Sequence, residues 1–296
     1  MYFLTYRYEG SERIGVYCPQ RQKILPLTAV SELDIPEGML DFIRGFNSDA
    51  IGIINAYLTK GESQNQFLSL SEVELCAPIP RPLRNIICLG LNYKEHVAES
   101  QSVADKSKLP SAPVFFTKLA TKIIGPDGEI DSHRDITSEL DYEVELAIVI
   151  GKSGSNIPKE EAADYIFGYS VFNDITARDL QRRHGQWLKG KSLDTFAAMG
   201  PYILHSSAVP LPLELEICSK VNGELRQHSN TRHLIFDIPT LISELSAGLT
   251  LEAGDIIATG TPAGVGMGMD PPTYLRPGDV VECSIEGLGT LRNVVK

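Results

Sequence analysis

Leu140-Asp141-Tyr142-Glu143-Val144-Glu145-Leu146-Ala147-Ile148-Val149-Ile150 is the stretch around which the chain is organised. Residues 144–150 are apolar apart from Glu145, rich in Val and Ile, and stopped by Gly151. That pattern predicts a strand buried on both faces. Strand side chains alternate, so Glu143 and Glu145 fall on the same face. Two carboxylates there repel each other and lose hydration, which costs several kcal/mol unless something positive sits between them. Glu-x-Glu alone is common on solvated strand edges; here the apolar residues around it point to a bound cation. Asp174 lies in a second apolar run, 165–175, and can supply a third oxygen. Three carboxylates plus water form the ligand set of a hard ion, Mg²⁺, Mn²⁺ or Ca²⁺.

The 296 residues suffice for one large domain or two unequal ones, each with its own core. A net charge of −11 disfavours a nucleic acid or an anionic membrane as partner. No apolar run reaches membrane-spanning length, and Met1–Thr5 lacks the basic start of a secretion signal. The cysteines are five, scattered, and without a Cys-x-x-Cys pair, which reads as reduced core thiols of a cytoplasmic protein.

Residues 1–76 read as a small α/β unit. Its strands are expected at Met1–Tyr8, Arg13–Cys18, Ile24–Leu27 and Ser71–Leu75, and its helices at Met39–Phe46 and Asp49–Leu58, the latter capped by Ser48. Residues 77–82 are a proline-rich linker. Residues 83–296 are mostly strand, with runs at Asn85–Leu89, Val114–Leu119, Asp255–Thr259 and Val280–Ser284. Asn222-Gly223 marks a hairpin turn, Pro239–Ala247 a helix, and Pro158 with Gly168 brackets another. The class is therefore α+β, mainly β. Residues 99–112 are polar and look mobile, and we expect 93–110 to close over a substrate.

Four further motifs can carry chemistry. In Asn92–Glu99, His96 and Glu99 share a face if the segment is helical, and a carboxylate beside an imidazole makes it a base. In Gly190-Lys191-Ser192, the lysine is an anion contact or a surface charge, and the glycine lets backbone approach a ligand. Ala258–Gly266 resembles a phosphate loop but lacks the Gly-Lys-Ser/Thr ending, and Pro271-Pro272 stand where a helix should start. It can instead offer backbone N–H groups and the Thr261 hydroxyl to a carboxylate. Arg178 and Gln181 are substrate contacts, or partners of Asp179 and nearby backbone.

Taken in order, Asn92-Tyr93…His96…Glu99, Phe115-Phe116-Thr117-Lys118, Asp141–Glu145, Asn173-Asp174…Arg178-Asp179-Leu180-Gln181, Gly190-Lys191-Ser192…Gly200-Pro201 and Thr259–Pro262 closely resemble the fumarylacetoacetate hydrolase family. The resemblance covers about residues 80–296, and the whole chain looks like the bacterial oxaloacetate decarboxylase, acylpyruvase and 2-hydroxyhepta-2,4-diene-1,7-dioate isomerase branch. It implies a mixed β-roll core behind the N-terminal domain, a homodimer, and Mg²⁺ or Mn²⁺ on Glu143, Glu145 and Asp174. It assigns an acid/base dyad to His96 and Glu99 and substrate contacts to Gln181, Lys191 and Thr261; in the expected mechanism Lys191 stabilises developing negative charge. Leu119 and Ala198 depart from it, since many members carry proline at both places; the departures bear on substrate preference. The expected activity is cleavage or decarboxylation of a small 2-oxo acid by a metal-dependent hydrolase or lyase. Isomerisation of a 2-hydroxydienedioate is the second reading, and a non-catalytic metal-containing binding protein the third.

Overall fold

The computed structural model describes residues 1–60, 66–99 and 109–296. Its fold is α+β and mainly β, built on an 11-stranded sheet. Across that sheet run, in spatial order, Leu68–Ser69, Lys23–Pro26, Ser11–Cys18, Tyr2–Tyr8, Ala197–His205, Ile166–Asp174, Val144–Ile150, Ile256–Ala258, Ile86–Gly90 and Val114–Lys118, with Glu74–Leu75 beside Tyr2–Tyr8. All neighbours are antiparallel except Ile256–Ala258 with Ile86–Gly90. A 5-stranded sheet packs on one face, in the order Glu224–Asn230, Glu216–Val221, Val280–Ile285, Gly289–Val295, Glu129–Ile130. The helices Met39–Arg44 and Asp49–Lys60 cover the N-terminal part of the opposite face.

The strand Val144–Ile150 is buried along its whole length because both of its faces meet a core. Leu146, Ile148 and Ile150 point to the 5-stranded sheet, while Ala147 and Val149 point to the other core. Glu143 and Glu145 share the parity of Ala147 and so lie on that second face. Register with the neighbouring strand pairs Glu145 with Phe172, so Asp174 emerges on the same side. The three acids therefore meet at one end of the large sheet.

Several elements differ from the expectations. Pro158 and Gly168 do not bracket a helix: Lys159–Tyr165 is a 3₁₀ turn, and Ile166–Asp174 is a fully buried strand. Gly168 is there for packing, since a Cβ would overlap the carbonyl of Leu204 and lie 2.7 Å from Ile203 Cγ2. Ser71 belongs to a 3₁₀ turn capped by Ser69, and only Glu74–Leu75 forms strand there. At the start of Asp49–Lys60 the capping acceptor is Asn47 Oδ1, 3.1 Å from Asp49 N, and the Ser48 hydroxyl bonds to that same oxygen. The Asn222-Gly223 hairpin and the helix Ile238–Ser246 fall where expected. Residues 76–79 of the proline-rich stretch are buried, and the Thr5 hydroxyl donates to Pro78 O at 2.6 Å. Within the polar stretch 99–112, residues 100–108 lie outside the described residues, as they do for the segment expected to close over substrate. No described helix is long and apolar enough to cross a membrane.

Candidate active site

Glu143, Glu145 and Asp174 bring one carboxylate oxygen each to within 4.8 Å of one another, all buried. Around them sit three cations. Lys191 Nζ donates to Glu143 Oε2 and Asp174 Oδ2, both at 2.7 Å. Lys118 Nζ lies 2.7 Å from Asp174 Oδ1 and donates to the carbonyls of Ile175 and Phe196. Arg178 Nη1 pairs with Glu143 at 2.7 Å and its Nε with Asp141 at 2.8 Å. With every acid ionised, four carboxylates would face three cations and the cluster would be negative by one charge.

Glu145 is the acid left over. Among the described residues it has no ion pair; the Gly260 N–H donates to it at 2.9 Å. Burial, then Asp174 and Glu143, push its pKa well above the ordinary carboxylate value. Glu143 shows the opposite balance. Burial works against its charge, but Lys191, Arg178 and His96 outweigh it and hold its pKa at about 2. Burial lowers the pKa of Lys118, whereas for Lys191 the pull of Asp174 and Glu143 exceeds burial and raises it. A buried, repelled carboxylate beside two others is what a divalent cation compensates, and the all-oxygen donor set suits Mg²⁺ or Mn²⁺. The spacing and donor set of the three acids fit a divalent cation. Because Glu145 holds its proton to higher pH than an ordinary carboxylate, cation binding should expel that proton. Affinity should thus rise with pH, with protons released on binding. Calorimetry in buffers of differing ionisation heat tests this, and pH-independent affinity without proton release would refute it.

His96 and Glu99 come from a separate segment. The helix Lys94–Glu99 places His96 Nδ1 2.8 Å from Glu99 Oε1. With the Nδ1 proton directed at the carboxylate, Nε2 is free to accept one. Asn92 anchors the helix, donating to Thr259 O at 2.8 Å and accepting from Phe236 N at 2.8 Å. Gly264 N donates to both Glu99 oxygens, at 3.2 and 3.0 Å. A Cβ on Gly268 would overlap Glu99, so this loop closes tightly on the acid.

A cavity of about 20 Å³ joins these parts, lined by His96, Glu143, Arg178, Gln181, Lys191 and Thr261 among others. A far larger groove, about 1110 Å³, lies along residues 119–131 and contains none of the carboxylates, so chemistry and not size locates the site. All nine residues singled out in the sequence lie in or beside this one region, but several make unexpected contacts. Arg178 pairs with Asp141 and Glu143, not with Asp179, which accepts instead from the Thr137 hydroxyl at 2.6 Å. Among the described residues Arg178 Nη2 is buried without a partner, and Gln181 accepts from Nη1 at 3.3 Å. The Thr261 hydroxyl donates to Val144 O and accepts from Gln227 Nε2. The loop's backbone N–H groups serve the protein's own acids: Gly260 holds Glu145, Gly264 holds Glu99, and Gly266 and Met267 hold Asp141. Gly190 likewise faces protein, since a Cβ there would lie 2.6 Å from Gln181 N. Two site residues received no role from the sequence, Lys118 and Asp141. Their one signal is membership of the Phe-Phe-Thr-Lys and Asp-Tyr-Glu-Val-Glu motifs.

The C-terminal family model of fumarylacetoacetate (FAA) hydrolase matches residues 85–296. Oxaloacetate tautomerase YisK of Bacillus subtilis is 54% identical over 227 residues, 77% of this chain and 74% of its own. The fumarylacetoacetate hydrolase of Exiguobacterium antarcticum is 42% identical with a TM-score of 0.84, covering 100% of this chain and 99% of that one. Maleylpyruvate hydrolase from Sphingobium sp. SYK-6, solved with manganese(II) and pyruvate, is 32% identical with a TM-score of 0.78, covering 100% and 98%.

Proposed function

This chain belongs to the fumarylacetoacetate hydrolase family, whose members are enzymes, and we propose that it transfers a proton at the carbon beside the 2-oxo group of a small 2-oxo acid. The observation that carries this reading is that Glu143, of the buried carboxylate trio, and His96, of the His96–Glu99 pair, line one cavity. Interconversion of the keto and enol forms of oxaloacetate needs nothing more, and the Bacillus subtilis relative is named for it. Glu143, Glu145 and Asp174 would hold a divalent cation, which would supply Lewis acidity toward the substrate's oxygens; the Sphingobium relative was solved with manganese(II). His96 Nε2 takes the proton from carbon, and Glu99 balances the imidazolium that results. Lys191 steadies the negative charge that develops on the substrate, and the unpartnered Arg178 Nη2 receives a second carboxylate.

Cleavage of a C–C bond is the second reading. The same dyad can direct a water at the distal carbonyl of an acylpyruvate, and the Sphingobium relative is a maleylpyruvate hydrolase. Decarboxylation of oxaloacetate would use the same charge stabilisation without a water. The test is a comparison of kcat/KM, with Mg²⁺ or Mn²⁺, for oxaloacetate tautomerisation, oxaloacetate decarboxylation, acetylpyruvate and fumarylpyruvate hydrolysis, and isomerisation of a hydroxymuconate-type diene. Tautomerisation should lead. A faster diene isomerisation, or metal binding with no turnover of any of them, would overturn the proposal.

A further inference from the structure

The walls of the cavity differ in how firmly they are held. On the polar side Glu143, Arg178 and Lys191 are locked by ion pairs in the interior. On the apolar side Phe116 belongs to a strand of the large sheet. Trp187, the one tryptophan of the chain, belongs to neither a long helix nor a strand. It stands half-buried in the short joint between helices Arg178–His184 and Leu188–Lys191, just after Gly185, whose φ is +69°. Its ring meets Phe116 edge-on, centroids 5.0 Å apart at 77°. Its seat is Gly90: a Cβ there would lie 2.6 Å from the indole Cη2. The indole thus occupies space that any side chain at position 90 would fill, and it lines the cavity beside Phe116, whose ring centroid lies 5.4 Å from Lys191 Nζ. The remaining volume is small, about 20 Å³. Each carbon added to a substrate therefore presses harder on the walls, and Trp187 is an aromatic wall that neither a strand nor a long helix holds.

We propose that Trp187 sets the chain length of the 2-oxo acid: the longer the acyl chain, the harder it runs against the indole. This rests on reading the site as one for 2-oxo acids. The experiment titrates the Mg²⁺-loaded wild type, Trp187→Phe and Trp187→Ala with pyruvate, 2-oxohexanoate and 2-oxooctanoate by calorimetry. In the wild type the emission of the single tryptophan is followed in parallel. Wild-type affinity should fall about tenfold or more from the shortest to the longest acid, the scale of a methylene that a pocket rejects. Trp187→Ala should abolish the fall, Trp187→Phe should reduce it, and wild-type emission should change with each acid that binds. If the fall persists unchanged in both variants, Trp187 is not the length-setting wall, while the 2-oxo-acid reading stands. Heat of binding without a change in emission overturns the Trp187 assignment in the same way. No binding of any 2-oxo acid to the wild type overturns both. Should Trp187→Ala not fold, Trp187→Phe, which keeps an aromatic ring against Phe116, carries the test.

Discussion

Glu145→Gln and Asp174→Asn should both lose the divalent cation and every activity, yet they should part on the stability of the metal-free protein. Each removes a carboxylate from the trio proposed to hold the cation, so affinity should drop by more than the ~10–100-fold typical of residues that merely orient ligands. Without metal the two acids are not equivalent. Asp174 is paired on both oxygens, with Lys118 and with Lys191. Neutralising it leaves two interior ammoniums short of a partner, and breaking a buried pair from one side costs about 3–5 kcal/mol. Glu145 has no ion pair among the described residues, and burial already favours its protonated form. Glutamine there keeps the shape and can still accept from Gly260 N, so metal-free stability should stay within about 1 kcal/mol or rise. Calorimetric metal titration and thermal unfolding of both metal-free variants make the comparison. A Glu145→Gln protein that binds Mg²⁺ normally would remove Glu145 from the ligand set. One that unfolds as easily as Asp174→Asn would mean that Glu145 has a cationic partner after all.

What could be read in the chain and what could not divides by distance. Val144–Ile150 was legible because its apolar residues fill both faces, and Glu143 and Glu145 follow from alternation alone. The helix at Ile238–Ser246 was legible for the same local reason, with its aspartate cap and proline at the start. Lys118 was not. A lysine after Phe115-Phe116-Thr117 looks like the solvated end of a strand, yet it is 0% exposed. Its N–H groups are satisfied by Asp174, Ile175 and Phe196, up to 78 residues away, and no local pattern encodes that. Lys191, too, reads as a surface charge until the fold sets it between Glu143 and Asp174. The misread at 158–168 has the same origin. Proline-first, glycine-last is a helix signal only when the glycine answers to its own turn, and Gly168 answers to Ile203 and Leu204 across the sheet. The glycines at 260, 264 and 266 looked like a ligand loop because they are one in form; the groups they hold turn out to be Glu145, Glu99 and Asp141 of the same chain.

His96→Ala should show the opposite pattern to the metal variants, near-normal cation affinity with a broken proton step. His96 is 6% exposed and its Nδ1 is engaged by Glu99, which is in turn held by Gly264 N, so the imidazole is aimed by groups that are not part of the carboxylate trio. Its removal leaves Glu143, Glu145 and Asp174 with their own partners intact. Tautomerisation and acylpyruvate hydrolysis both need a base at the substrate, so each should fall about 10²–10⁴-fold, the usual effect of removing one. Decarboxylation of oxaloacetate loses CO₂ without abstracting a proton from carbon, so it should fall less. Glu99→Gln should lie between wild type and His96→Ala in the two proton-dependent rates, because the imidazole remains but its charged form is no longer balanced. Metal titrations together with the three rates on both variants decide the matter. If His96→Ala abolishes metal binding, His96 is a ligand and the division between base and cation site fails. If all three rates fall equally, the base acts on a step they share and decarboxylation does not bypass it. If none falls, the dyad is not the base and another group at the cavity must carry the proton.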